Sequence, residues 1–332
     1  MKKNIFTIIT IAALLIVANM SCNETFRVMD VIFPKTSITF QLGRTVAIPV
    51  IVIPHDATDP TLTWSSSNPD VATVDHTGKV TTLSEGETMI TATSNDGGFK
   101  ARCTVKVIDL QEIEMIFVEG GTFTMGCIGA GCHSETVPAH EVTLSSFHIS
   151  KYQVTQKLWE TVMGYNPSSF KGENLPVEQV SWNEAMNFII RLNEITGKNY
   201  SFPTEAQWEF AAKGGNESKG YIYSGSNDLD LVAWYGYNTY GTQPVGTKEP
   251  NELGIYDMSG NVYEWVNDWF GNYPYLPQID PQGPYSGSLK VARGGGWFSV
   301  NWACQTTFRV SGSLYQTSDY PGFRLALPPA GL

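Results

Sequence analysis

Excess positive charge, long apolar runs and familiar catalytic loops are what this 332-residue sequence lacks. Lysine and arginine number 21 against 32 aspartates and glutamates, a formal net charge of -11. The basic footprint that nucleic-acid phosphates demand is therefore missing, and no nucleic-acid partner is expected. Past residue 21, no apolar run approaches the roughly 20 residues that a helix needs to cross a bilayer. No G-x-S-x-G elbow, Walker loop or H-E-x-x-H pair occurs, which removes the common signatures of serine hydrolases, P-loop enzymes and zinc proteases. Charged residues are only 16% of the chain, whereas 31 glycines and 18 prolines favour turns and short strands over long helices.

Cysteine is sparse as well, at five residues, so each can be considered singly. Lys2 and Lys3 precede an apolar run from Ile5 to Val17, and Ala18-Asn-Met-Ser21 then leads into Cys22. This reads as a secretory signal over residues 1–21 followed by a tether over 22–30. A small residue directly before a cysteine resembles the lipobox of bacterial lipoproteins, although Asn19 departs from its aliphatic position. That resemblance implies a diacylated Cys22, with the membrane met through a lipid anchor. The protein is then exported and held at the cell envelope, in the outer membrane of a Bacteroidetes-like bacterium. Outside the cytoplasm thiols oxidise, and Cys127 and Cys132 bracket a flexible Ile-Gly-Ala-Gly loop. A local disulfide is the leading expectation for them; a thiolate metal site with His133 is the alternative.

Residues 31–107 read as strands throughout. Val46 to Ile53 is dense in β-branched residues, Thr61-Leu-Thr-Trp-Ser and Thr88-Met-Ile-Thr-Ala-Thr alternate, and turns fall at Asn68-Pro-Asp, His76-Thr-Gly and Asp96-Gly-Gly. Short strands with closely spaced turns predict an all-β sandwich. The run from Thr63 to Gly98, TWSSSNPDVATVDHTGKVTTLSEGETMITATSNDGG, resembles the bacterial Ig-like group 2 domain, which implies a spacer or stalk. Residues 108–114 form a short linker, and residues 115–332 a second domain. Its opening, Met115 to Gly126, reads as a hairpin around Gly120-Gly121. Three helices carry caps: Thr155 before Gln156, Ser181 with Glu184, and Thr204 with Gln207, the last ended by Gly214-Gly215. Ala185, Phe188, Ile189 and Leu192 make one apolar face of the second. From Gly220 to Leu327, Gly, Pro, Asn and aromatic residues predict loops pinned on a small sheet.

Together GGTFTMG (120–126), PAHEVTLSSFHI (138–149), FPTEAQWEFAAKGG (202–215), PVGTKEPNELGIYDMSGNVYEW (244–265), RGGGW (293–297) and GFRLA (322–326) resemble the sulfatase-modifying factor family. This is the formylglycine-generating enzyme type of C-type lectin-like fold, a loop-rich α+β architecture. The resemblance implies a Ca²⁺ site formed by Asp257, Gly260, Val262 and Glu264, whose hard oxygens suit that ion. Family members that oxidise a sulfatase cysteine hold Cu(I) between two cysteines five positions apart. Aligned on Arg293-Gly-Gly, this chain has Ser299 at the first and Cys304 at the second. A hydroxyl is no substitute for a thiolate towards Cu(I), so Cys304 is catalytic only if a second thiolate comes from Cys127 or Cys132.

The leading expectation is thus a non-catalytic module that binds a protein or glycan. Trp297, Phe298, Ser299, Asn301, Trp302, Phe308, Tyr315 and Tyr320 offer rigid rings among small polar residues, the composition of a recognition surface, with about half of the rings expected in the core. A copper-dependent oxidase and a structural part of an envelope or secretion assembly are the alternatives. Arg309 and Arg324 are expected to pair with buried acids.

Overall fold

The computed structural model describes residues 25–315, 317 and 320–328; the signal sequence and Cys22 lie outside them. The chain divides into two compact units. In the first, a four-stranded sheet runs in the order Ser37–Gln41, Lys100–Ile108, Gly86–Ser94, Leu62–Ser66, and a three-stranded sheet in the order Thr45–Ala47, Lys79–Thr82, Ala72–Val74. Strict alternation along Lys100–Ile108 buries Ala101, Cys103, Val105 and Val107, the half-buried pattern of an antiparallel sheet packed on one face. The apolar run from Val46 to Ile53 is not one strand. Thr45–Ala47 pairs with Lys79–Thr82, while Ile51–Ile53 pairs with Asp30–Ile32. Pro49 lies between them, and having no N–H it cannot continue a ladder.

The second unit opens with a ribbon that the sequence misplaces. Met115–Val118 and Gly121–Met125 do not pair with each other; they pair with Phe147–Ser150 and His140–Leu144 in one continuous register, from Met115↔Ser150 to Met125↔His140. The turn of this long hairpin is the 126–139 segment, which contains the disulfide Cys127–Cys132. Gly120-Gly121 is the point where the ribbon bends. A Cβ at Gly120 would sit 2.4 Å from the Leu144 carbonyl oxygen, so only a residue without one lets the strands cross so closely.

The three helices form where their caps place them. Helix α1 (Gln156–Met163) starts at Thr155, whose side chain accepts from Leu158 N–H. Ser181 and Glu184 make a reciprocal capping box for α2 (Trp182–Thr196), as do Thr204 and Gln207 for α3 (Glu205–Ala212). Each box satisfies two backbone donors that a helix start leaves open. The apolar face of α2 buries Ala185, Phe188, Ile189, Leu192 and Ile195, with Phe188 stacked on Trp159 at 5.2 Å. At about 1.5–3 kcal/mol for each large side chain, this face fixes α2 against α1.

Behind α3 lies a four-stranded sheet in the order Arg309–Ser313, Leu289–Arg293, Tyr263–Trp269, Pro321–Phe323. Its inner strand, Tyr263–Trp269, is buried at five of its seven positions. Among the described residues no helix is long and apolar enough to cross a membrane.

Replacing Gly120 with alanine is expected to destabilise the second unit by about 1–3 kcal/mol, the cost of overpacking against backbone that cannot retreat. An unchanged urea midpoint for Gly120→Ala would show that the bend does not depend on close approach.

Candidate functional site

The turn Asp257–Asn261 is built from left-handed backbone: Asp257, Gly260 and Asn261 all have positive φ. Gly260 is required there, since a Cβ would lie 2.4 Å from the Trp234 carbonyl oxygen. Asn261 locks the turn by accepting from Gln243 N–H and donating to Gln243 O. The chain then enters the inner strand, and Glu264 points into a wholly buried site. Arg324 grips it with two bonds, Nε to Oε2 at 2.6 Å and Nη2 to Oε1 at 2.8 Å. The Trp208 indole donates to Oε2 and Gln153 Nε2 donates to Oε1. Arg324 also donates to the carbonyls of Ser150 and Tyr256. Every oxygen of this buried acid is thereby partnered by a charged or polar donor, as burial requires.

A second network runs along α3. Arg309 grips Glu205 with Nε and Nη2, both at 2.7 Å, and the Tyr273 hydroxyl donates to Glu205 Oε1. Arg293 pairs with Glu209, which also takes Lys213 at 2.6 Å. Burial pushes the Glu209 carboxyl up, but Lys213 and Arg293 overcome it and hold the group below its ordinary range. Asp268 is less favoured. Its Oδ2 accepts from Glu205 N–H, yet burial and the adjacent Glu205 push it up to about 7 against the pull of Arg309 and Lys290. Glu205, Asp268, Tyr273 and Arg309 border a cavity of about 250 Å³.

Of the four residues of the calcium expectation, Asp257, Val262 and Glu264 meet at one side chain, while Gly260 N–H donates to Gly294 O. Gln153 Nε2 donates to the carbonyls of Asp257 and Val262, at 3.1 and 3.2 Å, and to Glu264 Oε1 at 2.9 Å. Asp257 Oδ2 accepts from Gly246 N–H, and burial raises that carboxyl to about 6. The point on which three oxygens converge is thus filled by an N–H donor, and the charge of Glu264 is taken by Arg324. This donor set does not fit a calcium ion. Among the described residues no three His, Cys, Asp or Glu side chains gather as a metal set.

Ser299 precedes a short turn, Asn301–Cys304, and Cys304 ends it; both lie against Gly295 and Gly296. Ser299 Oγ accepts from Gly296 N–H at 2.9 Å and donates to the Tyr263 hydroxyl at 3.4 Å. Cys304 is fully buried against Leu229, Val232, Ala233 and Tyr235, and burial pushes its thiol up to about 12. At neutral pH it is a protonated thiol, and the hydrogen-bond acceptor it has is the Val300 carbonyl, at 3.9 Å. Cys127 and Cys132 are bonded to each other, so neither offers a thiolate.

The expected recognition surface divides in two. Phe298 joins Trp297, Tyr320 and the buried Tyr263 in one group of rings, and Trp302 joins His133 and Phe308 in another. Phe298, Asn301, Trp302 and Tyr315 are exposed, and Trp297 and Tyr320 are half-buried. Ser299 and Phe308 do not belong to the surface: the hydroxyl is turned inward to Gly296 and Tyr263, and Phe308 packs beneath Trp302. Tyr237 and Tyr240 were missed. They are 76% and 97% exposed; Gly236 N–H donates to Ser299 O, which docks the backbone before Tyr237 on the Phe298-Ser299 segment, and the Tyr237 ring packs on Tyr235 at 5.8 Å. The composition of that stretch, YGYNTYG, carried the same ring-and-small-polar signal.

A family described as the sulfatase-modifying factor enzyme 1-like domain matches residues 104–328, and the bacterial Ig-like domain (group 2) matches residues 27–105. The chain is 36% identical over 244 residues to the chaperone protein LppX of Paenibacillus barcinonensis, a match covering 57% of this chain and 81% of that protein. It is 31% identical over 195 residues to the formylglycine-generating enzyme of Thermomonospora curvata, covering 52% of this chain and 61% of the enzyme. Among solved structures, Treponema denticola variable protein 1 superposes with a TM-score of 0.59 at 31% identity, over 71% of this chain and 98% of that one. PvdO from Pseudomonas aeruginosa does so at 0.57 and 28%, over 64% and 94%.

Two outcomes test these geometries. Glu264→Gln strands Arg324 in the core, and removing one partner of a buried pair costs about 3–5 kcal/mol; an unfolding free energy from urea titration within about 1 kcal/mol of wild type would contradict the assignment. Asp268 has a folded pKa above its ordinary 3.8. Its contribution to stability is therefore full below the unfolded value and is lost as pH rises through about 7. Asp268→Asn keeps the acceptor for Glu205 N–H, so it should raise the melting temperature more at about pH 8 than at about pH 5. An equal change at both would show that the acid is not strained.

Proposed function

The chain belongs to the sulfatase-modifying factor family, and from that premise we propose that its C-terminal domain is a binding module and not a cysteine oxidase. The observation that carries this reading is the state of the family's two cysteine positions. One holds a hydroxyl already committed to Gly296 and Tyr263; the other holds a thiol that burial keeps protonated. Cu(I) requires soft, deprotonated sulfur donors, and a thiol pushed up to about 12 supplies almost none at neutral pH. The donors present do not fit copper, and the Cys127–Cys132 disulfide removes the substitutes.

What the domain retains is a firm scaffold under an aromatic edge. Phe298, Trp302, Tyr237 and Tyr315 present rings to solvent, and aromatic side chains with two χ angles lose little entropy when they bind. The partner is a protein or glycan at the cell envelope, to which the Ig-like module and a lipidated Cys22 would deliver the domain. Similarity to a protein named as a chaperone favours a protein partner.

The test exposes a cysteine-containing sulfatase-motif peptide to the protein with Cu(I) and oxygen, and follows conversion of the peptide cysteine to formylglycine by mass. Wild type and Cys304→Ala are expected to be equally inert. Turnover by wild type that Cys304→Ala abolishes would overturn the reading. In parallel, Phe298→Ala combined with Trp302→Ala is expected to weaken capture of envelope proteins or arrayed glycans at least tenfold. Unchanged capture would move binding away from this edge.

A further inference from the structure

A second recess, of about 480 Å³, lies away from the aromatic edge, between the 109–114 segment and the start of α1. Its volume is in the range of small-molecule sites. Gln153 lines it and is 2% exposed. Both amide hydrogens are committed to Asp257 O, Val262 O and Glu264 Oε1. The first two are carbonyls, and both oxygens of Glu264 already accept from Arg324. Turning the amide over would set oxygen against three oxygens, so chemistry fixes which end faces which way. The Oε1 end is buried and, among the described residues, has no partner. A fixed, buried acceptor beside a cavity calls for a donor from whatever fills it.

The walls and rim narrow what that is. Leu110, Ile113 and Leu158 make an apolar side. At the rim, Glu114 is matched by Lys151 at 2.9 Å and Lys157 by Glu173 at 3.3 Å. Asp109 and Glu112 also line the recess and are exposed, and among the described residues neither has an ion pair. The recess therefore offers a neutral acceptor at depth, an apolar wall and surplus negative charge at its mouth.

We infer that this recess binds a small amphiphilic amine, with a neutral O–H or N–H donor meeting Gln153 Oε1, an apolar spacer along Leu110, Ile113 and Leu158, and an ammonium at Asp109 and Glu112. The charge stays at the wet rim, where it costs no desolvation, and only the neutral donor goes to the floor. The site does not depend on Ser299, Cys304 or the aromatic edge.

The probe is 6-aminohexan-1-ol, titrated calorimetrically into the full chain beside hexane-1,6-diol, which lacks the charge, and 6-aminohexanoate, which replaces the donor with a carboxylate. The amino alcohol is expected to bind at least tenfold more tightly than either. Glu112→Gln, a surface change that leaves the fold alone, should reduce that advantage over the diol to within about threefold. Thr161→Trp, at an exposed position of α1 on the cavity wall, should abolish binding of all three while the melting temperature holds. Equal binding of diol and amino alcohol would show an apolar recess without selection for charge, and would overturn the proposal. So would heats that Thr161→Trp leaves unchanged, or no binding by any probe, which would mark Gln153 Oε1 as satisfied by water alone.

Discussion

The clamp of Arg324 on Glu264 is the interaction on which the rest of the C-terminal domain depends. A carboxylate and a guanidinium at zero exposure are tolerable only when every lone pair and hydrogen is used. Here the uses come from four directions. Trp208 reaches in from α3, Gln153 from the segment before α1, and Ser150 and Tyr256 offer carbonyls from the hairpin and from the turn. Glu264 lies on Tyr263–Trp269 and Arg324 directly follows the neighbouring strand Pro321–Phe323, which runs beside it. Irregular backbone is thereby fixed by charge where regular ladders are short, which is how a domain with many loops, whose helices α1 to α3 run only two to four turns, acquires one arrangement.

The same arrangement quiets the chemistry that the fold elsewhere supports. Gln153 occupies with an N–H the point at which a cation would need oxygens. Ser299 spends its hydroxyl on holding Gly296 and Tyr263, and Cys304 spends its sulfur on filling the apolar pocket under Tyr235. Each is a position where a polar or soft group has been turned to structure. On this proposal function is left to the surface and to the recess that Gln153 lines, where Oε1 is a buried acceptor with no donor among the described residues. A fold alone cannot carry this proposal; the hydrogen-bond partners of individual atoms support it.

Much of the architecture was legible because its signals are local. Thr155, Ser181 with Glu184, and Thr204 with Gln207 name their helix starts within four residues, and the structure starts the helices there. The division of the chain into a β-sandwich and a loop-rich α+β domain followed from strand spacing and from the motifs that Gly120 to Ala326 carry. Pairing over long separations was not legible. Met115 meets Ser150 and not its neighbour across Gly120, because the register is set by the whole ribbon. The apolar run through Pro49 splits between two pairings, as one missing N–H dictates. At the site, residue types were visible but their orientation was not. Ser299 and Phe308 look like surface residues in a sequence of rings and small polar groups. Gln153 gives no sign that its amide will anchor two carbonyls and a carboxylate.

The central claim is that burial has taken Cys304 out of chemistry, and its reactivity towards iodoacetamide measures this most directly. The full chain would be alkylated at about pH 8 with and without denaturant, and the label assigned by peptide mass so that Cys103 is scored separately. The account predicts that Cys304 stays unmodified in the native protein and reacts at an ordinary thiol rate once the chain is unfolded. Rapid native labelling of Cys304 would mean an accessible thiolate at the family's second cysteine position, and would return the domain to the oxidases.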